Sequence, residues 1–224
     1  MKILFKYASR SRPERFFHGL NSIINNISSD NYIILATLDT DDTNMNNNVV
    51  KSKLGRIKNI KVDWGTSKGK IDAINRGLNL VTDWDILVNM SDDMEFIKKG
   101  FDDIIRHDMQ KHFPDLDGAL HYNDGNQKAR ICSMSILTRK YFNRTGTIYY
   151  PLYKSMCADD DFMAVAQQLG RLRYMGDDQI IFRHLHHSFG LAEQDELYKQ
   201  QSTSEVWQHD IDLYETRKRI NFKL

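Results

Sequence analysis

The segment Asp85-Ile-Leu-Val-Asn-Met-Ser-Asp-Asp-Met-Glu95 constrains the fold more than any other. Ile86 to Met90 reads as a buried strand that ends abruptly in two carboxylates, Asp92 and Asp93. Delivering paired acids to the rim of a sheet on a buried strand is costly unless a cation neutralises them. The arrangement suits a divalent cation held against a diphosphate. Its bland counterpart is a strand-end turn in which Asp93 caps the next segment. Ser91 is placed to bond a ribose hydroxyl or a metal-bound water, and Glu95 to face solvent.

The first half alternates strand and helix. Ile3 to Tyr7 is a short apolar strand, followed by Ser11-Arg-Pro-Glu14, which reads as a capping box with Pro13 in the first turn. Phe16, Phe17, Leu20, Ile23, Ile24 and Ile27 then recur at helical spacing. Tyr32 to Leu38 is a second strand ending in Asp39-Thr-Asp-Asp-Thr43. A helix around 49–57, a brief strand over 59–62 and a helix over 71–81 lead into the strand 86–90. Alternation of this kind predicts an α/β fold of Rossmann-like type, with a mostly parallel sheet flanked by helices. Ligands of such sheets sit beyond the carboxyl ends of the strands. The clusters Ser9/Arg10/Arg12, Asp39/Asp41/Asp42 and Ser91/Asp92/Asp93 should therefore meet in one cleft. Further on, the pattern predicts helices over 100–113, 159–169 and 205–222, and strands over 118–122, 131–137 and 180–182.

With 224 residues the chain fits one domain over 1–190, a nucleotide-binding half (1–95) and an acceptor half (96–190), plus a helical extension over 191–224. A formal charge of +1 gives no strong field for nucleic acid or an acidic membrane. The two cysteines, Cys132 and Cys157, have no metal-type spacing and read as reduced thiols. No apolar stretch approaches the ~18 residues that cross a bilayer, and the apolar part of the N-terminus is too short for a signal peptide. The expected location is the cytoplasm.

Three more clusters carry chemistry. In Phe-Arg-His-Leu-His-His-Ser, a continuing strand puts His184 and His186 on one face and His187 on the other. Imidazole ligates transition metals, so His186 first and His184 second could complete a shell begun by Asp93; a polar strand end with one packed histidine is the plain alternative. Asp159, Asp160 and Asp161 open a helix, where the macrodipole favours acids. A carboxylate ionised near a hydroxyl there could also serve as general base. Arg12 could pair with phosphate. Lys68 and Lys70 precede a helix start, where cations oppose the dipole, which hints at a bound anion.

Asp39-Thr-Asp-Asp-Thr43 also satisfies the Asp-x-Asp-x-Thr pattern of haloacid-dehalogenase-like phosphohydrolases, and Gly176-Asp177-Asp178 resembles their late acidic motif. In that family the nucleophilic aspartate ends the first strand, whereas here a strand and a helix come first.

Taken in order, the segments Ala8-Ser-Arg-Ser-Arg-Pro13, the acidic end of the second strand, Lys68-Gly-Lys-Ile-Asp-Ala-Ile-Asn-Arg-Gly77, Ser91-Asp92-Asp93, Ala158-Asp-Asp-Asp-Phe162 and the histidine strand resemble the GT-A glycosyltransferases, especially the family-2-like group. The resemblance covers most of residues 1–190 and implies a GT-A fold and a nucleotide-sugar donor, UDP-linked by preference. It implies that Ser9, Arg10, Arg12, Asp39, Asp41, Lys70, Asp72, Ser91 and Asp92 surround that donor. It further implies that Asp93 with His186 or His184 holds Mn²⁺ or Mg²⁺, and that Asp160 or Asp159 takes the acceptor's proton, with inversion at the anomeric carbon. Ser91 stands where the family's first aspartate is expected. The acceptor stays open: a glycan, a lipid-linked sugar, a protein or a modified DNA base. Tyr122, Tyr141, Tyr149, Tyr150 and Tyr153 could stack on it or simply pack. A nucleotide-sugar-binding protein without turnover is the remaining alternative.

Overall fold

The computed structural model describes residues 1–223. The elements run β1 (Ile3–Ala8), α1 (Pro13–Asn26), β2 (Tyr32–Asp39), α2 (Asn48–Leu54), β3 (Ile60–Gly65), α3 (Lys70–Asn75) and β4 (Ile86–Met90). Then come β5 (Met94–Phe96), α4 (Phe101–His112), β6 (Ala119–His121), β7 (Ile136–Thr138), α5 (Arg139–Phe142), α6 (Ala158–Gln168), β8 (Leu172–Tyr174) and β9 (Phe182–His184). Two helices, α7 (Glu196–Gln201) and α8 (Ser204–Arg219), follow.

Seven strands form one sheet in the order β3-β2-β1-β4-β7-β6-β8. The β3-β2-β1-β4 half is parallel, as the βαβ alternation predicts, and β7 enters antiparallel to both β4 and β6. β1 is buried on both faces, as a central parallel strand must be. Ile3, Phe5 and Tyr7 pack against Phe16, Leu20 and Ile23 of α1 and Phe101, Ile105 and Met109 of α4. On the opposite face Leu4 joins Ile71 and Ile74 of α3 and Phe162 and Ala166 of α6. A small antiparallel ribbon pairs β5 with β9, setting Met94 opposite His184.

Several local expectations change. Ser11 does not cap α1: its backbone is left-handed (φ 61°), and its N–H donates to Asp42 Oδ2 at 2.6 Å. The helix expected over 71–81 breaks after Asn75. Arg76 is extended, and Gly77 adopts φ 77°, where a Cβ would meet the Asp63 carboxylate at 2.7 Å. A 3₁₀ turn, Leu78–Leu80, follows. The strand expected over 131–137 is confined to β7, and the one over 59–62 runs on to Gly65. The histidine strand stops at His184; His186 caps a 3₁₀ turn, His187–Phe189, so the two-faced arrangement of the three histidines does not form. Cys132 and Cys157 are free thiols. No helix among the described residues is long and apolar enough to cross a membrane.

Candidate functional site

A cavity of about 660 Å³ opens beyond the carboxyl ends of β1, β2 and β4. The three polar clusters converge there: Ser9, Arg10 and Arg12 after β1, Asp39 and Asp41 after β2, and Ser91, Asp92 and Asp93 after β4 all line it. Lys70, Asp159, Asp160, His184 and His186 line it too. Asp72 does not; its carboxylate accepts from the Lys68 N–H at 2.8 Å, in the loop before its own helix. Asp42 also stays outside the lining, held by Ser11.

Several of the acids are already engaged. Asp92 accepts from Ser9 Oγ at 2.7 Å and from Arg12 Nη1 at 2.9 Å. Burial pushes its carboxyl up, against the pull of Arg12. Asp39 accepts from Arg10 at 2.9 Å on one oxygen and from Ser67 Oγ at 2.7 Å on the other. Asp39 ends β2, behind a complete strand and helix, and not the first strand as the phosphohydrolase pattern has it. Asp41 forms a two-pronged pair with Arg10. Asp161 belongs to the packing, accepting from Tyr153 Oη at 2.9 Å and from Arg217 Nε at 2.5 Å. That leaves Asp159 and Asp160 as the acids of this helix that face the cavity. Partial desolvation and the neighbouring Asp159 charge push Asp160 up to about 6.

Asp93 differs from Asp92. Its Oδ1 is buried and accepts no hydrogen bond, while Oδ2 lies 3.2 Å from His184 Nε2. The ribbon register sets this contact, and the Leu185 N–H donates to the Asp93 carbonyl at 2.7 Å. The other ring nitrogen of His184, Nδ1, lies 3.5 Å from Asp124 Oδ2. Burial pushes the imidazole down, but the two carboxylates outweigh it and raise it to about 9. Asp93 is held well below the usual carboxylate range by His184, against the cost of its burial. For His186, burial and the His184 charge push the ring down to about 4.

Asp93 is the test of whether these residues fit a divalent cation. A buried carboxylate oxygen without a partner is a standing energetic cost that a cation would relieve. His184, with a carboxylate behind its far nitrogen, has the carboxylate–histidine arrangement of metal ligands. His186 accepts the Ser188 N–H on Nδ1 at 3.3 Å. Among the described residues no three His, Cys, Asp or Glu side chains form a complete cation site. The fit is thus to a cation that takes one or two protein ligands and completes its shell with phosphate and water.

The sequence reading missed Asp124, Arg130, Tyr198 and Trp207. Asp124 sits in a loop, accepting from Asn126 and Gln127 amides and Ser133 Oγ. The other three line the cavity from segments without a motif. Tyr122, Tyr141 and Tyr153 are buried packing residues, while Tyr149, also largely buried, lines the cavity.

No family model matches the chain, and no curated protein sequence matches it. Solved structures do. TarS from S. aureus, solved with UDP-GlcNAc, aligns with a TM-score of 0.64 at 14% identity over 88% of this chain and 60% of that one. TarS 1-349 aligns with a TM-score of 0.62 at 14% identity over 99% and 74%. The mannosyltransferase PcManGT from Pyrobaculum calidifontis, solved with GDP-Man and Mn²⁺, gives 0.63 at 12% identity over 83% and 57%. The chain thus spans 60% of the TarS chain bound to UDP-GlcNAc and 57% of PcManGT. Likeness at these identities shows a common fold, an α/β architecture of GT-A type.

Proposed function

We propose that this chain is a metal-dependent glycosyltransferase that moves a sugar from a nucleotide-sugar, with UDP as the preferred nucleotide, to a hydroxyl acceptor. The reading rests above all on Asp93: a buried, unpartnered carboxylate oxygen at the carboxyl edge of β4, in the same cavity as Asp159 and Asp160. The nucleotide-sugars bound to TarS and PcManGT support it. Residues 1–95 would form the donor half, 96–190 the acceptor half and 191–224 the extension. Ser9, Arg10, Arg12, Asp39, Asp41 and Ser91 would surround the nucleotide. Lys70, exposed at the start of α3, would meet the diphosphate.

Asp93 and His184, with His186 as the alternative, would hold Mn²⁺ or Mg²⁺, which supplies Lewis-acid neutralisation of the leaving diphosphate. Asp160, or Asp159 beside it, accepts the acceptor hydroxyl's proton. The acceptor oxygen bonds to the anomeric carbon as the bond from that carbon to the diphosphate oxygen breaks, and the nucleoside diphosphate leaves with the electron pair. Attack opposite the leaving group inverts the anomeric centre; a retained anomer by NMR would contradict this. The test is a thermal-shift screen of nucleotide-sugars with and without Mn²⁺, since a ligand of the native state raises its melting point. Wild type should gain stability from UDP-sugar plus Mn²⁺, and Asp93→Ala should lose the Mn²⁺-dependent part while remaining folded. An equal Mn²⁺-dependent gain in Asp93→Ala would overturn the metal assignment.

A further inference from the structure

The C-terminal extension does not simply trail from the sheet. Asp210 of α8 is fully buried and accepts from three successive backbone amides, those of Lys154, Ser155 and Met156, at 3.0, 2.8 and 2.7 Å. That loop runs directly into α6 through Cys157, whose backbone is left-handed at φ 57°. At the far end of α8, Arg217 clasps Asp161 and lies over the Tyr150 ring at 3.6 Å. Two polar anchors thus fix α8 against the loop and helix that carry Asp159 and Asp160.

Trp207 lies three residues before Asp210, on the same face of α8 by helical spacing. It is 43% exposed and lines the cavity that holds Asp160. The indole is thus open to the cavity on a helix held in place by a buried carboxylate. Its surroundings narrow the choice. Gln127, Gln200 and Gln201 line the same cavity, and each carboxamide offers both donors and acceptors, as a sugar hydroxyl does. Seven carboxylates and six Lys or Arg side chains line the cavity, so it carries no net positive field to draw a polyanionic strand.

We propose that Trp207 is the stacking platform of an acceptor subsite for a neutral saccharide, its ring meeting the C–H face of a pyranose while the glutamines bond the hydroxyls. The inference rests on the glycosyltransferase reading and names the acceptor class it left open. The test measures transfer from UDP-GlcNAc and UDP-glucose to methyl glycosides and trisaccharides of glucose, galactose, mannose and N-acetylglucosamine, with a 5-hydroxymethylcytosine oligonucleotide as comparator. Trp207→Ala should raise the saccharide KM about tenfold, equivalent to about 1.4 kcal/mol, leave the donor KM unchanged, and be partly rescued by Trp207→Phe. The exposed control Ile220→Ser should match wild type. Adding saccharide to the UDP complex should change tryptophan emission in wild type and not in Trp207→Phe. An unchanged saccharide KM in Trp207→Ala, or transfer to the oligonucleotide with none to any saccharide, would overturn the platform while leaving the glycosyltransferase reading intact. Failure of wild type to bind or turn over any nucleotide-sugar would instead remove both.

Discussion

Arg217 of α8 donates to Asp161 of α6, Nε to Oδ2 at 2.5 Å, and so ties the end of the chain to the helix that presents Asp160. Both side chains are almost fully buried, and Tyr153 and Tyr150 complete the contact. Removing one partner of a buried pair leaves a charge in a poor medium. Arg217→Ala should therefore cost about 3–5 kcal/mol, read as a lower urea midpoint. Asp161→Asn combined with Arg217→Met should recover much of that loss. A single variant as stable as wild type would show that the clasp adds nothing.

Asp160 sets the expected pH dependence. Desolvation and Asp159 hold its carboxyl up at about 6, and a general base works ionised. Transfer should fall as pH drops through about 6 and level off above it. Asp160→Asn should lower kcat by about 10²–10⁴ and remove the titration. Asp159→Asn should move the midpoint down, because it deletes a like charge. A midpoint unmoved in Asp159→Asn would mean that another group titrates.

The parallel half of the sheet was legible because β1, β2 and β4 are buried on both faces and read as mostly apolar runs, broken only by Lys6, Thr37 and Asn89, that stop at polar clusters. The convergence of those clusters on one cleft followed from the rule for parallel sheets. The departures have long-range causes. Ser11 has the pattern of a cap, yet Asp42, 31 residues on, takes its amide. The helix after Lys70 has apolar spacing through Val81, yet Gly77 and Asp63 end it early. Helix α8 reads as a charged amphipathic helix, but its buried positions are polar: Asp210 and Arg217 face inward against partners that periodicity cannot name. Asp124 left no motif, since its role comes from a histidine 60 residues away brought near by the β5-β9 ribbon.

Asp124 should matter to the proposed cation site without touching the substrate. It stands behind His184 Nδ1, where a carboxylate fixes the ring and raises its basicity as a ligand. Asp124→Asn should weaken Mn²⁺ binding about 10–100-fold, measured by calorimetry in the presence of UDP. His184→Gln should do the same or more, and His186→Gln less. Equal Mn²⁺ affinities in Asp124→Asn and wild type would rule out this positioning role.

Lys6 is a buried cation on the central strand, fully shielded, donating to Thr37 Oγ1 and to the Ala73 carbonyl. Burial brings its pKa down to about 7, against the attraction of Asp63. From that value up to the ordinary lysine range, the unfolded chain binds more protons than the folded one, so stability rises with pH across this window. Below it, both states are protonated and the cost of burying the charge is borne in full. Lys6→Met removes that cost and keeps most of the side-chain volume. The variant should be more stable than wild type by on the order of a few kcal/mol near pH 6, with the advantage shrinking toward pH 9. Paired urea melts at the two pH values measure this. An advantage that does not change with pH would mean that Lys6 stays protonated in the folded chain across this range, and a loss of stability at both would mean that its bonds to Thr37 and Ala73 outweigh its desolvation.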